Sequence, residues 1–245
     1  MYKNYIFDFY GTLVDILTDE TEDSFWESMA RFFSYNGAFY ESEELRQAYL
    51  TTVSEFLEKT GKYTKHPDIK IQDAFKELYQ RKGLSIKPEE ENLLLAITAR
   101  VFRNISTKHI KLYDGVIDTF EMLKRSGKRI FLLSNGQREF TVPELKSMGI
   151  YNYFDRICSS SDLGISKPDE AFFQYLIKTE NLNIKESIMI GNDHTSDIEG
   201  ARRIGMDSLY IHTQTSRKIN PKEVDSTYTV GDGDFSRIKQ LIFRS

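Results

Sequence analysis

The sequence predicts an α/β fold, a doubly wound parallel sheet into which an all-helical segment is inserted. From residue 116 onwards, strand-like and helix-like segments alternate, which is typical of parallel sheets with helices on both faces. A short apolar strand is predicted at residues 6–9. The next ~90 residues show helical spacing of apolar side chains and no convincing strand. The helical segment is therefore an insertion after the first strand.

The spacing of apolar residues, glycines and prolines predicts each element in turn. In the insertion we expect helices 22–35, 41–60, 69–82 and 88–104. Beyond it we expect helix 116–126, strand 129–133, helix 142–148, strand 156–159, helix 169–180, strand 187–190, helix 197–204, strand 208–211, a surface loop at 213–223, strand 227–230 and helix 234–243. Residues 1–17 and 110–245 are assigned to a core domain, and residues 18–109 to an inserted helical domain.

Composition narrows the class of protein. The chain has 245 residues, with 33 Lys and Arg against 37 Asp and Glu, and this balance argues against a nucleic-acid binder. A single cysteine, Cys158, excludes an internal disulfide and favours a cytoplasmic protein. No apolar run approaches the ~20 residues of a membrane span, and Asp8 interrupts the first apolar run, so we expect neither a membrane segment nor a signal peptide.

Polar and small residues follow the predicted strands, at the edge where open parallel sheets bind ligands. After the first strand come Asp8, Tyr10, Gly11, Thr12 and Asp15; after the later ones come Ser134, Asn135, Gly136, Ser166, Lys167, Asn192, Asp193, His194 and Asp197. Three acids and an ammonium group are thus expected to converge on one crevice. Each segment alone is a weak signal, but four at the same edge indicate a catalytic site.

These segments resemble the four motifs of the haloacid dehalogenase-like (HAD) hydrolase superfamily, in its helical-cap subfamily. FDFYGTLVD at residues 7–15 resembles the first motif, and LSNG at 133–136 the second. Lys167-Pro168 resembles the third, and GNDHTSDIEGA at 191–201 the fourth. Order and spacing match, and the helical insertion corresponds to the cap of that family.

The resemblance, taken with the chemistry of the side chains, implies a role for each residue. Asp8 is expected to be the nucleophile, since a carboxylate can form an acyl-phosphate or an ester. Ser134 would donate a hydrogen bond to the transferring group, and Lys167 would offset negative charge in the transition state. The expected substrate-binding set is Tyr10, Gly11, Thr12, Ser134, Asn135 and Lys167.

A magnesium site is expected at the same place. Asp193, together with Asp197, would hold Mg²⁺ near Asp8, and the family pattern implies the backbone carbonyl of Tyr10 as a further ligand. Mg²⁺ prefers such oxygen ligands. The three carboxylates would repel one another without a cation, so the residues themselves also favour a metal.

Tyr10 departs from the pattern of the phosphatases, most of which carry a second Asp as acid/base two residues after the nucleophile. A tyrosine there resembles the 2-haloacid dehalogenases, whose halide leaving group needs no proton. The acidic fourth motif favours phosphoryl transfer, because a metal has little use in dehalogenation. We therefore expect a Mg²⁺-dependent phosphatase of a small phosphorylated metabolite. The alternatives are a dehalogenase and a weakly active or inactive protein that binds a phosphorylated ligand. No nucleic-acid or membrane partner is expected, and the chain would be a monomer or a weak dimer.

Overall fold

The structure is a computed structural model that describes residues 2–242. Its strands are β1 (Asn4–Phe7), β2 (Val14–Thr18), β3 (Thr107–Leu112), β4 (Arg129–Ser134), β5 (Arg156–Ser159), β6 (Ser187–Gly191), β7 (Asp207–Ile211) and β8 (Tyr228–Val230). Its helices are α1 (Asp23–Tyr35), α2 (Ser42–Gly61), α3 (Ile71–Arg81), α4 (Pro88–Ser106), α5 (Val116–Arg125), α6 (Arg138–Ser147), α7 (Ser160–Leu163), α8 (Glu170–Glu180), α9 (Glu199–Arg203) and α10 (Phe235–Ile242).

Six of these strands form one parallel sheet in the order β5-β4-β1-β6-β7-β8. The first strand lies inside the sheet, and the chain adds β4 and β5 on one side before it returns to add β6, β7 and β8 on the other. The predicted doubly wound parallel sheet is confirmed. The reversal of strand order next to β1 opens a crevice at the carboxyl ends of β1, β4 and β6, where such folds bind ligands.

Both faces of the sheet are buried, as a parallel sheet covered by helices requires. Successive side chains of a strand point to opposite faces. Phe7 of β1 therefore belongs to one apolar cluster, with Phe120 of α5. Ile6 belongs to the other, with Phe172 of α8. Burial on both sides fixes the position of β1, and with it the position of the residue that follows.

The inserted helices α1–α4 form an apolar cluster of their own, rich in aromatic side chains. Phe25, Trp26 and Phe33 are buried in it. Phe140 of α6 packs against the same cluster, so the insertion also contacts the core.

A two-stranded antiparallel ribbon of β2 and β3 joins the insertion to the core, and the sequence analysis did not predict it. The prediction of no strand between residues 18 and 109 is therefore wrong at its two ends. Both strands are half-buried and alternate polar and apolar residues over only a few positions (VDILT and TKHIKL). The two strands pair although about 90 residues separate them along the chain. Such a distant pairing gives no local turn signal.

Other differences are smaller. Helix α6 begins at Arg138, four residues before the predicted start, and accommodates Pro143 within its first two turns. The predicted start of helix 197–204 is instead a π-helical turn, His194–Ile198. The last predicted helix ended at residue 243, which lies outside the described residues. Within residues 2–242, no helix is long and apolar enough to cross a membrane.

The aromatic cluster of the insertion gives a test of packing with a matched pair of phenylalanines. Phe33 is 1% exposed and Phe39 is 73% exposed. Replacing a buried phenylalanine by alanine removes apolar contacts and leaves a cavity. We expect Phe33→Ala to lower the free energy of unfolding by about 3–5 kcal/mol, and Phe39→Ala to change it by less than about 0.5 kcal/mol. Urea denaturation followed by circular dichroism measures both, and equal losses would contradict the assignment of this cluster.

Candidate active site

The turn after β1 places Asp8 at the crevice. The backbone N–H of Asp8 still pairs with the Ile190 carbonyl of β6 (2.9 Å), so the residue is held at the end of the sheet. The chain then turns sharply through Gly11, whose φ is +81°. A Cβ at Gly11 would lie 2.5 Å from Nδ2 of Asn192, so glycine is required on both counts.

Lys167 lies buried at the centre of the site. Its Nζ is 2.7 Å from Oδ1 of Asp8, 2.7 Å from Oδ1 of Asp197 and 2.6 Å from the carbonyl oxygen of Leu133. The contacts with Asp8 and with the Leu133 carbonyl are hydrogen bonds, and the contact with Asp197 is an ion pair. Burial alone would lower the pKa of Lys167, but the two carboxylates raise it above its ordinary value. The side chain is therefore a cation at neutral pH.

Asp197 is the partner of Lys167 on the side away from the crevice. It is buried, and its Oδ2 accepts the backbone N–H of Asp193 (3.0 Å). Burial raises the pKa of Asp197, the charge of Asp8 raises it further, and Lys167 lowers it. Gly191 allows this packing, because a Cβ there would lie 2.2 Å from Oδ2 of Asp197.

Asp193 faces the crevice together with Asp8. Both line a cavity of about 330 Å³. Oδ1 of Asp193 accepts the N–H of Thr195 (2.8 Å) and its hydroxyl (2.7 Å), and Oδ2 lies 3.5 Å from Nε of Arg217. Burial raises the pKa of Asp193, but the bonds from Thr195 and the charge of Arg217 outweigh it and lower the pKa below the ordinary value. Asp193 is therefore an anion.

The predicted metal ligands are thus only partly brought together. Asp8 and Asp193 line the same cavity, as does Tyr10, whereas Asp197 does not. In this structure the Asp197 carboxylate instead contacts Nζ of Lys167 and the backbone N–H of Asp193. Among residues 2–242, no group of three or more His, Cys, Asp and Glu side chains has the arrangement of a metal centre.

Ser134 and Asn135 follow β4 and serve different purposes. Asn135 lines the cavity, accepts the N–H of Lys167 on Oδ1 (2.7 Å) and donates from Nδ2 to the Lys167 carbonyl (2.9 Å). It therefore orients the backbone of the lysine. The hydroxyl of Ser134 is buried and has no hydrogen-bond partner in the described part of the chain. Ser134 is fully buried and, unlike Asn135, does not line the cavity.

Thr12 braces the side chain of Asp8. Its hydroxyl oxygen lies 3.0 Å from Oδ2 of Asp8 and 3.1 Å from Oδ1 of Asn192, and it accepts the N–H of Asn192 (3.0 Å). The predicted substrate-binding residues Gly11 and Thr12 are therefore adjacent to the cavity, but Thr12 is fully buried and contacts Asp8 rather than open space.

Tyr10 lines the cavity, and its hydroxyl is directed to helix α6. The hydroxyl donates to Oε2 of Glu144 on α6 (2.8 Å), and Oε1 of Glu144 accepts Nε of Arg103 on α4 (2.6 Å). The Arg103 guanidinium also lies 5.1 Å from the centre of the Tyr10 ring. Burial, followed by the charge of Glu144, raises the pKa of Tyr10 well above its ordinary value, although Arg103 opposes this.

The sequence analysis missed several side chains of the site, among them Thr215, Arg217 and Glu144. Arg217 and Thr215 line the cavity, although residues 213–223 were predicted to be only a surface loop. They follow β7, so the rule that placed the other residues at strand ends would have found them if it had been extended by one strand. Glu144 gave no such signal, because it lies inside a helix and its role depends on the contact with α4.

Comparison with known proteins places this geometry in a family. Residues 5–211 match the family model described as haloacid dehalogenase-like hydrolase. The glyceraldehyde 3-phosphate phosphatase of Methanothermobacter thermautotrophicus is 25% identical over 155 residues, covering 63% of this chain and 69% of the relative. That of Methanocaldococcus jannaschii is 26% identical over 129 residues, covering 53% and 56%. The chain thus spans between about half and two thirds of the length of these relatives.

Solved structures share the fold at low sequence identity. The 2-haloacid dehalogenase of Pseudomonas syringae pv. Tomato DC3000 superposes with a TM-score of 0.66 and is 19% identical. The superposition covers 100% of this chain and 99% of that one. At this identity the likeness supports the fold alone.

The buried charges around Lys167 give a stability test with a pH signature. Lys167→Ala leaves the carboxylates of Asp8 and Asp197 without a cation. Removing one partner of a buried ion pair costs about 3–5 kcal/mol, whereas the exposed Lys178→Ala on α8 should cost little. The pKa of Asp197 would rise further, and a carboxyl whose folded pKa is raised costs stability as the pH rises from its unfolded pKa to its folded pKa.

The difference in free energy of unfolding between wild type and Lys167→Ala should therefore become smaller as the pH falls from about 8 to about 5. Urea unfolding at each pH measures it. A deficit that is the same at every pH would contradict the assignment of the lysine as the counterion of this cluster.

Proposed function

The chain belongs to the haloacid dehalogenase-like hydrolase family, and we propose that it is a Mg²⁺-dependent phosphatase that hydrolyses a small phosphorylated metabolite through an aspartyl-phosphate at Asp8. One observation carries the proposal. Asp8 ends the central strand beside the buried ammonium of Lys167 and shares a cavity with the anionic Asp193. The curated phosphatase relatives support a phosphate ester as the substrate.

In the first step, a carboxylate oxygen of Asp8 attacks phosphorus, and the bond from phosphorus to the leaving oxygen breaks. Lys167 keeps Asp8 in place and offsets the negative charge that builds up in the transition state. The unpaired hydroxyl of Ser134 is suited to donate to a phosphoryl oxygen. In the second step, water attacks the phosphorus of the aspartyl-phosphate, which releases inorganic phosphate and restores the Asp8 carboxylate.

The donor set of the cavity fits a magnesium ion. Asp8 and Asp193 supply carboxylate oxygens, and the lowered pKa of Asp193 keeps it anionic. Mg²⁺ is usually bound by one or two carboxylates, with waters and phosphate oxygens completing its shell. When bound by Asp8, Asp193 and the Tyr10 carbonyl, the ion would neutralise charge on the transferring phosphoryl group. Asp197 would act through Lys167 and the backbone of Asp193.

The leaving oxygen has no strong proton donor in this arrangement. The hydroxyl of Tyr10 donates to Glu144, and its raised pKa makes it a poor acid and a poor base. The rate of hydrolysis should therefore depend on how readily the leaving group departs as an anion, without a proton. Esters of acidic alcohols and phenols, and acyl phosphates, would be cleaved more readily than simple alkyl phosphates.

We also propose that residues 18–109 act as a cap domain over a core of residues 1–17 and 110–245. The separate aromatic cluster of α1–α4 supports this division, and the ribbon of β2 and β3 lies across the two boundaries. A cap excludes water from phosphoryl transfer. The single cysteine, Cys158, which is free and buried, supports the proposal of a cytoplasmic protein.

A panel of phosphate esters assayed with Mg²⁺ and with EDTA tests the activity. We expect turnover that requires the metal and that falls at least ~10²-fold in Asp8→Asn, because an amide cannot serve as the nucleophile. Lys178→Ala, far from the cavity, should keep wild-type turnover. Turnover by Asp8→Asn at the wild-type rate would contradict the role of Asp8. Loss of activity with EDTA, restored by Mg²⁺, would support the metal.

The role of Tyr10 is tested by varying the leaving group. We expect kcat/KM to fall steeply from aryl to alkyl phosphates, and Tyr10→Phe to lose less than about tenfold, since no proton passes through the hydroxyl. Tyr10→Asp supplies an acid/base, which commonly contributes about 10²–10⁴-fold, so alkyl phosphates should gain at least about tenfold. A large loss in Tyr10→Phe that is confined to alkyl phosphates would show that the tyrosine is the proton donor.

A 2-haloacid dehalogenase is the second candidate, favoured by the same orientation of Tyr10. A halide leaves without a proton, so the absence of an acid at this position in the described structure would not hinder it. The test is chloride release from 2-chloropropionate in EDTA. Sustained release, with no phosphate ester hydrolysed, would replace the phosphatase proposal. If neither substrate turns over but phosphate raises the melting temperature, the protein binds a phosphorylated ligand without catalysis.

A further inference from the structure

The segment that connects α2 to α3 leaves the helical insertion and lies against the core loop that connects α7 to α8. The backbone N–H of Asp68 donates to the Gly164 carbonyl (3.0 Å), and the N–H of Ser166 donates to the His66 carbonyl (2.9 Å). The two loops thus form a short antiparallel bridge.

Side chains add to this contact. We call the whole contact the clasp, and it consists of the backbone bridge together with Asp68, Gln137 and Ser160. The Asp68 carboxylate accepts the hydroxyl of Ser160 on Oδ2 and Nε2 of Gln137 on Oδ1 (3.3 Å). The Gln137 amide also bonds to the backbone of the insertion. It donates to the Ile69 carbonyl (2.9 Å) and accepts the N–H of Ile71 (2.8 Å).

Both ends of the clasp lie next to residues of the candidate active site. Ser166 immediately precedes Lys167, and Gln137 follows Asn135 by two residues. Asn135 and Lys167 are bonded to each other through both amide atoms of the asparagine (2.7 and 2.9 Å). The segment from the insertion therefore holds the two loops that meet at the catalytic ammonium.

We propose that Asp68 and Gln137 are positioning residues, through which docking of the insertion places Lys167 and Asn135 for catalysis. The proposal rests on the role assigned to Lys167 in the proposed function. The ribbon of β2 and β3 is the covalent link between insertion and core, and the clasp is a non-covalent attachment beside the Arg103–Glu144 pair. While the clasp is open, the loop that carries Lys167 loses its bonds to the insertion, and the site is incomplete.

The kinetic test compares Asp68→Ala with Asp73→Ala. Asp73 lines a surface cavity together with Asp68, apart from the active-site cavity, and is exposed. Within the described residues its side chain has no hydrogen bond to the core. We expect Asp68→Ala to lower kcat at least tenfold with a smaller change in KM, and Asp73→Ala to leave both near wild type. Asp68→Asn keeps an acceptor for Ser160 and should recover part of kcat. Wild-type kcat in Asp68→Ala overturns the proposal.

A double variant tests whether the two residues act through one contact. If Asp68→Ala already opens the clasp, adding Gln137→Ala should lower kcat no further than about twofold, because residues that share one interaction are not additive. A double variant whose loss is the product of the two single losses would show that the residues act independently, which overturns the clasp as a unit.

Distance measurements test the clasp without any assay of activity. Spin labels at Leu93→Cys on α4, which is 65% exposed, and at the exposed Thr179→Cys on α8 report the separation of insertion and core. We expect one narrow distribution for the Asp68 protein and a second, longer population in Asp68→Ala. An unchanged distribution overturns the proposal. If no substrate is ever turned over, the proposed function fails while this measurement still decides whether the clasp holds the insertion.

Discussion

The buried ammonium of Lys167 is the interaction on which the site depends. A buried cation is tolerated only with partners that satisfy its charge and its donors, and here two carboxylates and a carbonyl provide them. These partners come from the ends of β1 and β4 and from the segment after β6, so the parallel sheet must bring those ends together. A side chain at position 191 would collide with the Asp197 carboxylate, so only glycine fits there. The same ammonium that stabilises the charge cluster would stabilise the reacting phosphoryl group.

The insertion is tied to this centre in three ways. The ribbon of β2 and β3 begins six residues after Asp8, the Arg103–Glu144 pair reaches the hydroxyl of Tyr10, and the clasp reaches the loop of Lys167. Tyr10 therefore belongs to the contact between insertion and core as much as to the cavity. This explains in physical terms why a tyrosine can stand where related phosphatases carry an acid: its hydroxyl is engaged by Glu144 rather than directed at a leaving group.

Much of this arrangement could be predicted from sequence, because it follows from one rule about the carboxyl ends of parallel strands. This rule, together with the family resemblance, predicts that Asp8, Asn135, Lys167 and Asp193 lie at one site. It could not give the direction in which each side chain points. Asp197 lies close to the expected place, yet its carboxylate forms an ion pair with Lys167. A shift of a few ångströms in the carboxylate decides whether it contacts the lysine or a metal, and the sequence does not give that distance. The ribbon and the clasp join segments about 90 residues apart. The local sequence pattern of one segment does not indicate which distant segment it contacts.

The central claim is that Asp8 carries the phosphoryl group during turnover. It is tested most directly by rapid acid quench of the enzyme with a phosphate ester and Mg²⁺, followed by mass spectrometry of the peptide that contains Asp8. The account predicts an acid-stable, hydroxylamine-sensitive phosphoryl group on Asp8 that appears and decays within a turnover. Continued release of phosphate with Asp8 unmodified at every quench time, under conditions that preserve an acyl-phosphate standard, would contradict it.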